Sequence, residues 1–182
     1  MARHVDNARE RVLDGFEDLL ISNGDAPATL TGVAARVGLT KGGLLYHFPS
    51  KAALVAALVE RFEERTRDDL ASMAEAPEGP AANYLRISDY LSTPLHRTTL
   101  AMSQLSNSEP AAAEALTRSR RAELAAITAD VGDPVVARLT MLFADGLCFQ
   151  AITTPDDVSE QAAVIDWFST HVLAPHTRRP TG

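Results

Sequence analysis

The chain has 182 residues, of which 46% are hydrophobic, and its net charge is −7 at pH 7. This size and composition exclude a disordered chain, and a single cysteine excludes an internal disulfide framework and fits a reducing compartment. We expect no membrane span, because no run of about 18 apolar residues occurs. The charged N-terminal stretch MARHVDNARERVLDGF lacks the apolar core of a signal peptide.

The charges are unevenly distributed along the chain. Residues 1–51 hold six basic and six acidic side chains, whereas residues 52–182 hold eleven basic and eighteen acidic ones and carry the whole net charge. Residues 26–51 contain three basic residues and no acidic one. A polyanion would be repelled by most of the chain but not by this segment. A window of this length without acids also arises by chance, so charge alone leaves nucleic-acid binding open.

Helical periodicity organises the N-terminal part of the chain. Apolar residues from Val5 to Leu20 recur at helical spacing, and Asn23-Gly24 provides a C-terminal stop. A short helix over about 30–37 follows, and Thr29 stands at its N-cap position.

A second short helix follows after a turn. Gly38 stands where a tight turn requires a positive φ, and Thr40 is placed to cap a helix over about 41–47. Ser50 then caps a long helix over about 51–74. Two short helices joined by a glycine turn predict a helix-turn-helix, whose second helix enters the major groove of DNA.

Two adjacent glycines, Gly42 and Gly43, lie in this second helix, within the stretch LTKGGLLYHFPSK. Each glycine costs about 1 kcal/mol relative to alanine in a helix interior. A residue without a Cβ lets the backbone come close to DNA, so we interpret the pair as a loss of helix stability in exchange for close approach. Leu44 and Phe48 are four residues apart and are predicted to face inward.

The rest of the chain is also predicted to be helical. The segment APEGPAAN (76–83) is the clearest break in composition. Three prolines, Pro94, Pro110 and Pro134, stand where later helices are expected to begin. No strand candidate is visible, so the predicted fold class is all-α.

Two C-terminal helices carry more apolar surface than a small monomer needs. Residues 134–152 are charged only at Arg138 and Asp145, and residues 158–173 show a similar apolar excess. Such helices either pack on a second copy of the chain or lie enclosed within a monomer. Because both show the excess, we favour a homodimer through helices about 134–152 and 158–173.

The combined pattern of residues 29–60, TLTGVAARVGLTKGGLLYHFPSKAALVAALVE, is specific. It contains the capping threonine, the turn at Gly38-Leu39, Thr40-Lys41-Gly42, and an aromatic-His-Phe end before Pro49-Ser50-Lys51. This pattern resembles the DNA-binding region of the tetracycline-repressor (TetR) family of bacterial regulators. The resemblance implies about nine helices, with an N-terminal helix-turn-helix DNA-binding unit and a C-terminal ligand-binding and dimerisation domain.

The resemblance also implies a division of the chain. Residues 1–50 would form the helix-turn-helix DNA-binding domain, with the motif at about 30–49. Residues 51–78 would form the connecting helix, and residues 79–182 the ligand-binding and dimerisation domain. The implied protein is a cytoplasmic bacterial regulator, associated with the nucleoid when bound to its operator.

The implied function is a DNA-binding transcriptional regulator, a repressor that a small-molecule effector releases from a palindromic operator in double-stranded DNA. The positions that match DNA contacts of the family are Thr29, Thr31, Thr40, Lys41, Gly42, Gly43, Leu45, Tyr46, His47 and Lys51. Thr29 and Thr40 also serve as helix caps, Tyr46 could instead pack on the first helix, and Lys51 could be a solvated helix-start residue.

One departure from the family pattern is visible at Leu45. Many members carry a phosphate-contacting aromatic residue at this position. The contact would then fall to Tyr46 and His47, while Leu45 could touch a thymine methyl group.

The family places a ligand cavity among the central helices of the C-terminal domain. Polar-aromatic candidates on these elements are Tyr84, Tyr90, His96, Met102, Gln104, Phe143 and Phe149. For each of these residues taken alone, we favour packing in the core over contact with a ligand. Together they would suit a small, partly aromatic or amphipathic ligand.

Two other classes of function are compatible with a helical chain, an all-α enzyme or ligand carrier and a partner-binding helical module. No nucleophile motif or Gly-rich phosphate loop is visible in the sequence, and the histidines lack metal-ligand spacing. We therefore expect no catalytic residues, no metal site and no cofactor. Cys148 is interpreted as an inert core thiol.

Overall fold

The computed structural model describes residues 2–23, 28–86, 92–153 and 158–177. Within these ranges the chain forms nine α-helices and no strand, which confirms the all-α class and the predicted helix number. The helices are α1 (Ala2–Asn23), α2 (Leu30–Arg36), α3 (Lys41–His47), α4 (Lys51–Glu75), α5 (Pro80–Tyr84), α6 (Pro94–Leu105), α7 (Pro110–Val131), α8 (Pro134–Thr153) and α9 (Val158–Phe168).

The helices group into two compact units, each of which is described separately. Unit 1 comprises Met1–Arg65 and Pro94–Arg118, and unit 2 comprises Thr66–Thr93 and Ser119–Gly182. Helices α4 and α7 therefore contribute residues to both units.

Unit 1 is built around α1, which packs against α2, α3 and α6. Its buried side chains include Phe16 on α1, Leu44 on α3 and Phe62 on α4, each at most 1% exposed. Burying side chains of this size stabilises a fold by roughly 1.5–3 kcal/mol each. The packing fixes the orientation of α3, because its inward residues belong to this core.

Side-chain caps begin the helices around α3, as predicted. The hydroxyl of Thr29 accepts a hydrogen bond from Gly32 N at 3.1 Å, and that of Thr40 accepts from Gly43 N at 3.0 Å. Ser50 Oγ accepts from Ala53 N at 3.1 Å in the same way. Each cap satisfies an amide at a helix start that has no partner within the helix.

A buried carboxylate, Glu17 on α1, joins three helices of unit 1. It is 1% exposed and accepts hydrogen bonds from Arg61 at 3.1 Å, Arg65 at 3.0 Å and Thr98 Oγ1 at 3.0 Å. Arg97 on α6 donates to its second oxygen at 3.1 Å. These donors compensate a charge that would be costly to bury alone. We call these residues the Glu17 cluster.

Unit 2 has a separate apolar core. Its buried residues come from α4, α5, α7, α8 and α9, and include Met73, Leu85, Ile127, Met141 and Phe168. Phe143 stacks on Phe168 with ring centroids 4.3 Å apart. These residues fill the space between the helices of unit 2. Two of these helices, α8 and α9, are the ones that the sequence pattern marks as strongly apolar.

The structure adds detail to two predicted segments. The break at 76–83 contains the start of α5, which begins at Pro80, a residue compatible with the first turn of a helix. The last predicted helix, 158–173, ends as an α-helix at Phe168 and continues as a π-helical turn over Ser169–Leu173. Ala174 N donates to Ser169 O at 2.9 Å, which is the wider spacing of a π-turn. The predicted stop at 23–24 lies outside the described residues or side chains.

No single helix in the described parts of the chain is long and apolar enough to cross a membrane. Helices α3 and α4 reach the necessary length and apolar character only as a pair, and they are bent by 53°.

The Glu17 cluster predicts a large effect of one substitution on stability. Glu17→Ala removes the acceptor that Arg61 and Arg65 share, and it leaves the buried Arg61 with only its exposed partners, Glu10 and Asp14. We therefore expect the free energy of unfolding to fall by about 3 kcal/mol. Urea titration followed by circular dichroism measures this change. The exposed Glu64→Ala on α4 is the control and should change stability by less than about 0.5 kcal/mol. Equal effects of the two substitutions would contradict the assignment.

Candidate nucleic-acid interface

Helix α3 has a buried face and an exposed face. Leu44 and Phe48 are 0% and 1% exposed, as the sequence predicts, because both belong to the core of unit 1. Tyr46 on the other side is 80% exposed, which excludes its packing against α1. Lys41 is also exposed, at the first position of the helix. A polar, cationic surface is therefore presented by a helix whose other side is fixed.

All ten predicted DNA contacts lie in unit 1, and none of the ten is buried. The exposed ones are Thr29, Thr31, Thr40, Lys41, Gly42 and Tyr46, and the half-buried ones are Gly43, Leu45, His47 and Lys51. They come from the start of α2, from α3 and its cap, and from the first residue of α4. Their contact with DNA remains a prediction.

The two adjacent glycines differ in their surroundings. A Cβ added at Gly43 would lie 3.3 Å from Thr40 Oγ1, so the N-cap itself limits the space there. A Cβ added at Gly42 would have only Thr40 Oγ1 near it, at 4.0 Å. Neither glycine has a positive φ, in contrast to Gly38 with a φ of 70°. Nothing in the described structure therefore requires glycine at position 42.

A cation missed by the sequence analysis lies beside the end of α3. The guanidinium of Arg9 on α1 lies 4.8 Å from the centroid of the Phe48 ring, close enough for a cation–π interaction. Arg9 and His47 also line a groove of about 500 Å³ together with Pro49 and alanines of α4. The charge count for residues 26–51 could not reveal Arg9, because it precedes that window and approaches α3 only in the folded chain.

Lys51 is paired with an acid that is distant in sequence. Its Nζ lies 3.5 Å from Glu109 Oε1, and the two side chains are 42% and 31% exposed. Lys51 is therefore a partly solvated helix-start lysine with an acidic neighbour, and its contact with a DNA phosphate remains a prediction. Arg36 is similarly paired with Asp18 at 3.7 Å.

The predicted effector-site residues are divided between the units. His96, Met102 and Gln104 lie on α6 in unit 1, where Met102 is fully buried and Gln104 is exposed. In unit 2, Tyr84 and Phe143 pack against the core, whereas Phe149 is 70% exposed. Tyr90 lies outside the described residues. A shared pocket for these residues stays a prediction.

Tyr84 belongs to a polar cluster in unit 2. Arg120 Nη1 lies 2.6 Å from Tyr84 Oη, which in turn donates to Glu123 Oε2 at 3.2 Å. Arg120 also pairs with Asp145. Burial and the charge of Glu123 raise the pKa of the Tyr84 hydroxyl, so this group stays protonated at neutral pH.

Two further groups near this cluster have raised pKa values. Burial, with a contribution from Glu123, raises the pKa of Asp69. Burial, with a contribution from Asp145, raises the pKa of the Cys148 thiol to about 11. A thiol that is protonated at pH 7 is a poor nucleophile, in agreement with its interpretation as inert. Within the described ranges, no group of three His, Cys, Asp or Glu residues is placed to hold a metal ion.

The fold and the exposed α3 define a helix-turn-helix protein with further helices C-terminal to the motif. Residues 12–58 match the model of bacterial regulatory proteins of the tetR family, and residues 78–167 match the model of the tetracyclin repressor-like C-terminal domain. The chain belongs to the TetR family and is a DNA-binding transcriptional regulator. Proteins of this family are not enzymes, bind DNA and small-molecule ligands, and act as dimers.

Two relatives match over short segments. The chain is 39% identical over 64 residues to the nucleoid occlusion factor SlmA of Marinobacter nauticus, covering 35% of this chain and 33% of that protein. It is 34% identical over 70 residues to the transcriptional regulator TtgR of Pseudomonas putida, covering 38% of this chain and 33% of that protein. The chain thus spans about a third of the length of these curated relatives.

Solved structures share the fold over almost the whole chain. A transcriptional regulator from Rhodococcus sp. Rha1 superposes with a TM-score of 0.70 at 19% identity, covering 94% of this chain and 99% of that one. A transcriptional regulator from Saccharomonospora viridis in complex with choline gives 0.65 at 19% identity, covering 96% and 100%. At these identities the comparison concerns the fold alone.

The surroundings of Gly42 predict that alanine is tolerated there by the protein itself. Gly42→Ala should raise the free energy of unfolding by up to about 1 kcal/mol, because alanine favours the helix and meets open space. Gly15→Ala is the matched comparison, since its Cβ would lie 2.3 Å from Val37 Cγ1 and should destabilise the protein. Thermal unfolding of both variants checks the difference in sign. Destabilisation by Gly42→Ala would show that glycine is needed for the fold.

Proposed function

We propose that the protein is a homodimeric repressor that binds a palindromic operator and is released from it by a small-molecule effector. The observation that carries the DNA-binding part is the exposed face of α3, with Lys41, Gly42 and Tyr46 outward and Leu44 in the core. A recognition helix needs this arrangement, because its inner side must be held rigidly while its outer side enters the groove.

The proposed contacts divide into two kinds. Lys41 and Leu45 are suited to base edges, through a hydrogen bond to guanine and an apolar contact with a thymine methyl group. Tyr46, His47 and Lys51 carry donors suited to phosphate oxygens, which set position rather than sequence. The open space at Gly42 supports close approach of the helix backbone to DNA, since no internal contact explains the glycine.

The proposed dimer interface uses α8 and α9. Apolar side chains of α8 remain exposed at spacings of one helix face, with Val135 at 65%, Leu139 at 47% and Leu142 at 58% exposed. Val164 and Trp167 on α9 are 47% and 58% exposed. Patches of this kind on a single chain are typical of association surfaces. A symmetric dimer would match the two-fold symmetry of a palindromic operator.

The effector part of the proposal concerns residues 79–182. The Saccharomonospora viridis structure contains choline, which supports small-molecule binding by this fold. In this chain the polar cluster around Tyr84 and Arg120 offers hydrogen-bonding groups beside apolar ones, as small-molecule sites require. Effector binding would change the separation of the two DNA-binding domains of the dimer and weaken their simultaneous contact with the operator.

Selection from a random duplex pool tests the DNA-binding part. We expect the wild type to recover a palindrome and to bind it with a salt-dependent affinity measured by fluorescence anisotropy. Lys41→Ala should lower the affinity and relax the sequence preference at the base pair that Lys41 contacts. Lys51→Ala should instead reduce the salt slope by about one for each phosphate that it no longer neutralises. Tyr46→Ala should lower the affinity without unfolding the protein.

Arg121→Ala provides the charge-matched control, because Arg121 is exposed and lies in unit 2. It should leave DNA binding close to that of the wild type. If Arg121→Ala weakened binding as much as Lys41→Ala, the face of α3 would not be the contact surface. Recovery of no enriched sequence by a folded dimer would contradict operator binding.

The dimer interface has its own test. Leu142→Asp places a charge in the proposed apolar interface, so we expect sedimentation velocity to report a monomer where the wild type is a dimer. The side chain is 58% exposed in one chain, so the monomer should still fold. Ala111→Asp, at an exposed position of α7, should remain dimeric. A dimeric Leu142→Asp would place the interface elsewhere.

A further inference from the structure

The ion pair between Lys51 and Glu109 involves a residue assigned to phosphate binding. Lys51 is the first residue of α4, and Glu109 directly precedes Pro110 at the start of α7. Their charged atoms are 3.5 Å apart, and both side chains are partly exposed to solvent. The Lys51 side chain is therefore partly exposed and already has an acidic partner.

We propose that Glu109 is an internal competitor for the DNA phosphate that Lys51 would bind, and that it thereby limits operator affinity. This inference rests on the proposed DNA-binding function. A lysine carries one positive charge, so a carboxylate beside it reduces its attraction for a phosphate. DNA binding then requires the lysine to exchange one anion for another.

In the folded protein, residues 26–51 have acidic side chains beside them, although the segment itself contains none. Of the three basic residues in 26–51, Arg36 is paired with Asp18 and Lys51 with Glu109. Asp18 and Glu109 both come from outside the segment. These carboxylates offset part of the positive potential that would attract a polyanion.

The backbone at Glu109 is fixed, so its carboxylate is presented from a defined position. Glu109 N donates to Leu105 O at 2.8 Å, and Glu109 O accepts from Ala112 N at 3.0 Å. These bonds join the end of α6 to the first turn of α7. The side chain can still rotate away, because its pairing with Lys51 is partly solvated and weak.

The two partners belong to different parts of the family pattern. Lys51 lies within the N-terminal match at 12–58, and Glu109 lies within the C-terminal match at 78–167. A side chain of the part proposed to bind effector thereby acts on a side chain proposed to bind DNA. Glu109 is a positioning residue in this scheme and does not itself contact DNA.

The test compares Glu109→Gln with Glu114→Gln, which removes the same charge from the same helix region but pairs with Arg118 instead. Binding is measured by anisotropy on the duplex recovered by wild-type selection and on a random-sequence duplex of about 30 base pairs, long enough for two half-sites. We expect Glu109→Gln to bind both duplexes about 3- to 25-fold more tightly than the wild type. The upper value corresponds to a gain of about fivefold at each of two half-sites. Its salt slope should steepen by about one per half-site.

A double-variant cycle separates competition from direct repulsion. In the Lys51→Ala background, Glu109→Gln should give no further gain, because the lysine through which it acts is absent. A gain that persists there would show that the carboxylate repels DNA directly and would overturn the proposal. Unchanged affinity of Glu109→Gln, or an equal gain from Glu114→Gln, would also overturn it.

Failure of this inference is distinguishable from failure of the proposed function. If the wild type binds the selected duplex and Lys41→Ala weakens binding, the regulator function stands whatever Glu109→Gln does. If Lys51→Ala leaves affinity and salt slope unchanged, Lys51 is not a phosphate ligand and the competition is refuted. Circular dichroism of each variant verifies that it is folded.

Discussion

The geometry of the DNA-binding part depends on one buried charge, the carboxylate of Glu17. Helix α1 forms the base on which α2 and α3 pack, and Glu17 ties α1 to Arg61 and Arg65 of α4 and to Arg97 of α6. A buried carboxylate binds its donors in a defined geometry, whereas apolar contacts tolerate sliding. Helix α3 is therefore held by its own apolar residues against an α1 that polar contacts fix to α4 and α6.

Glycines in unit 1 show how function can be inferred from what the fold does not require. Gly15 permits close contact with Val37, and Gly38 adopts a φ of 70° in the turn before α3. The fold would require glycine at both positions even if the protein had no binding partner. Gly42 has neither a close contact nor a positive φ, although it lowers the stability of a short helix. A residue that costs stability without an internal reason points to an external one, and on this ground we propose close approach of position 42 to DNA.

Local sequence signals predicted most of the fold and part of the candidate site. The caps Thr29, Thr40 and Ser50, and the inward pair Leu44 and Phe48, depend on neighbours within a few residues, and the structure confirms them. Contacts between distant residues were not predictable. The Glu17 cluster and the pairing of Lys51 with Glu109 join helices far apart in sequence, and periodicity carries no information about such pairs.

The π-helical turn at Ser169–Leu173 controls the direction of the last side chains. Phe168 and Leu173 are five residues apart, a spacing that would put them about 140° apart around an α-helix. Both are buried, at 9% and 2% exposure, because the wider turn brings Leu173 back toward the core of unit 2. Trp167 stays on the outside, stacked on His171. The described residues after this turn are thus sensitive to a deletion as well as to composition, since losing one residue here would rotate the side chains of residues 174–177.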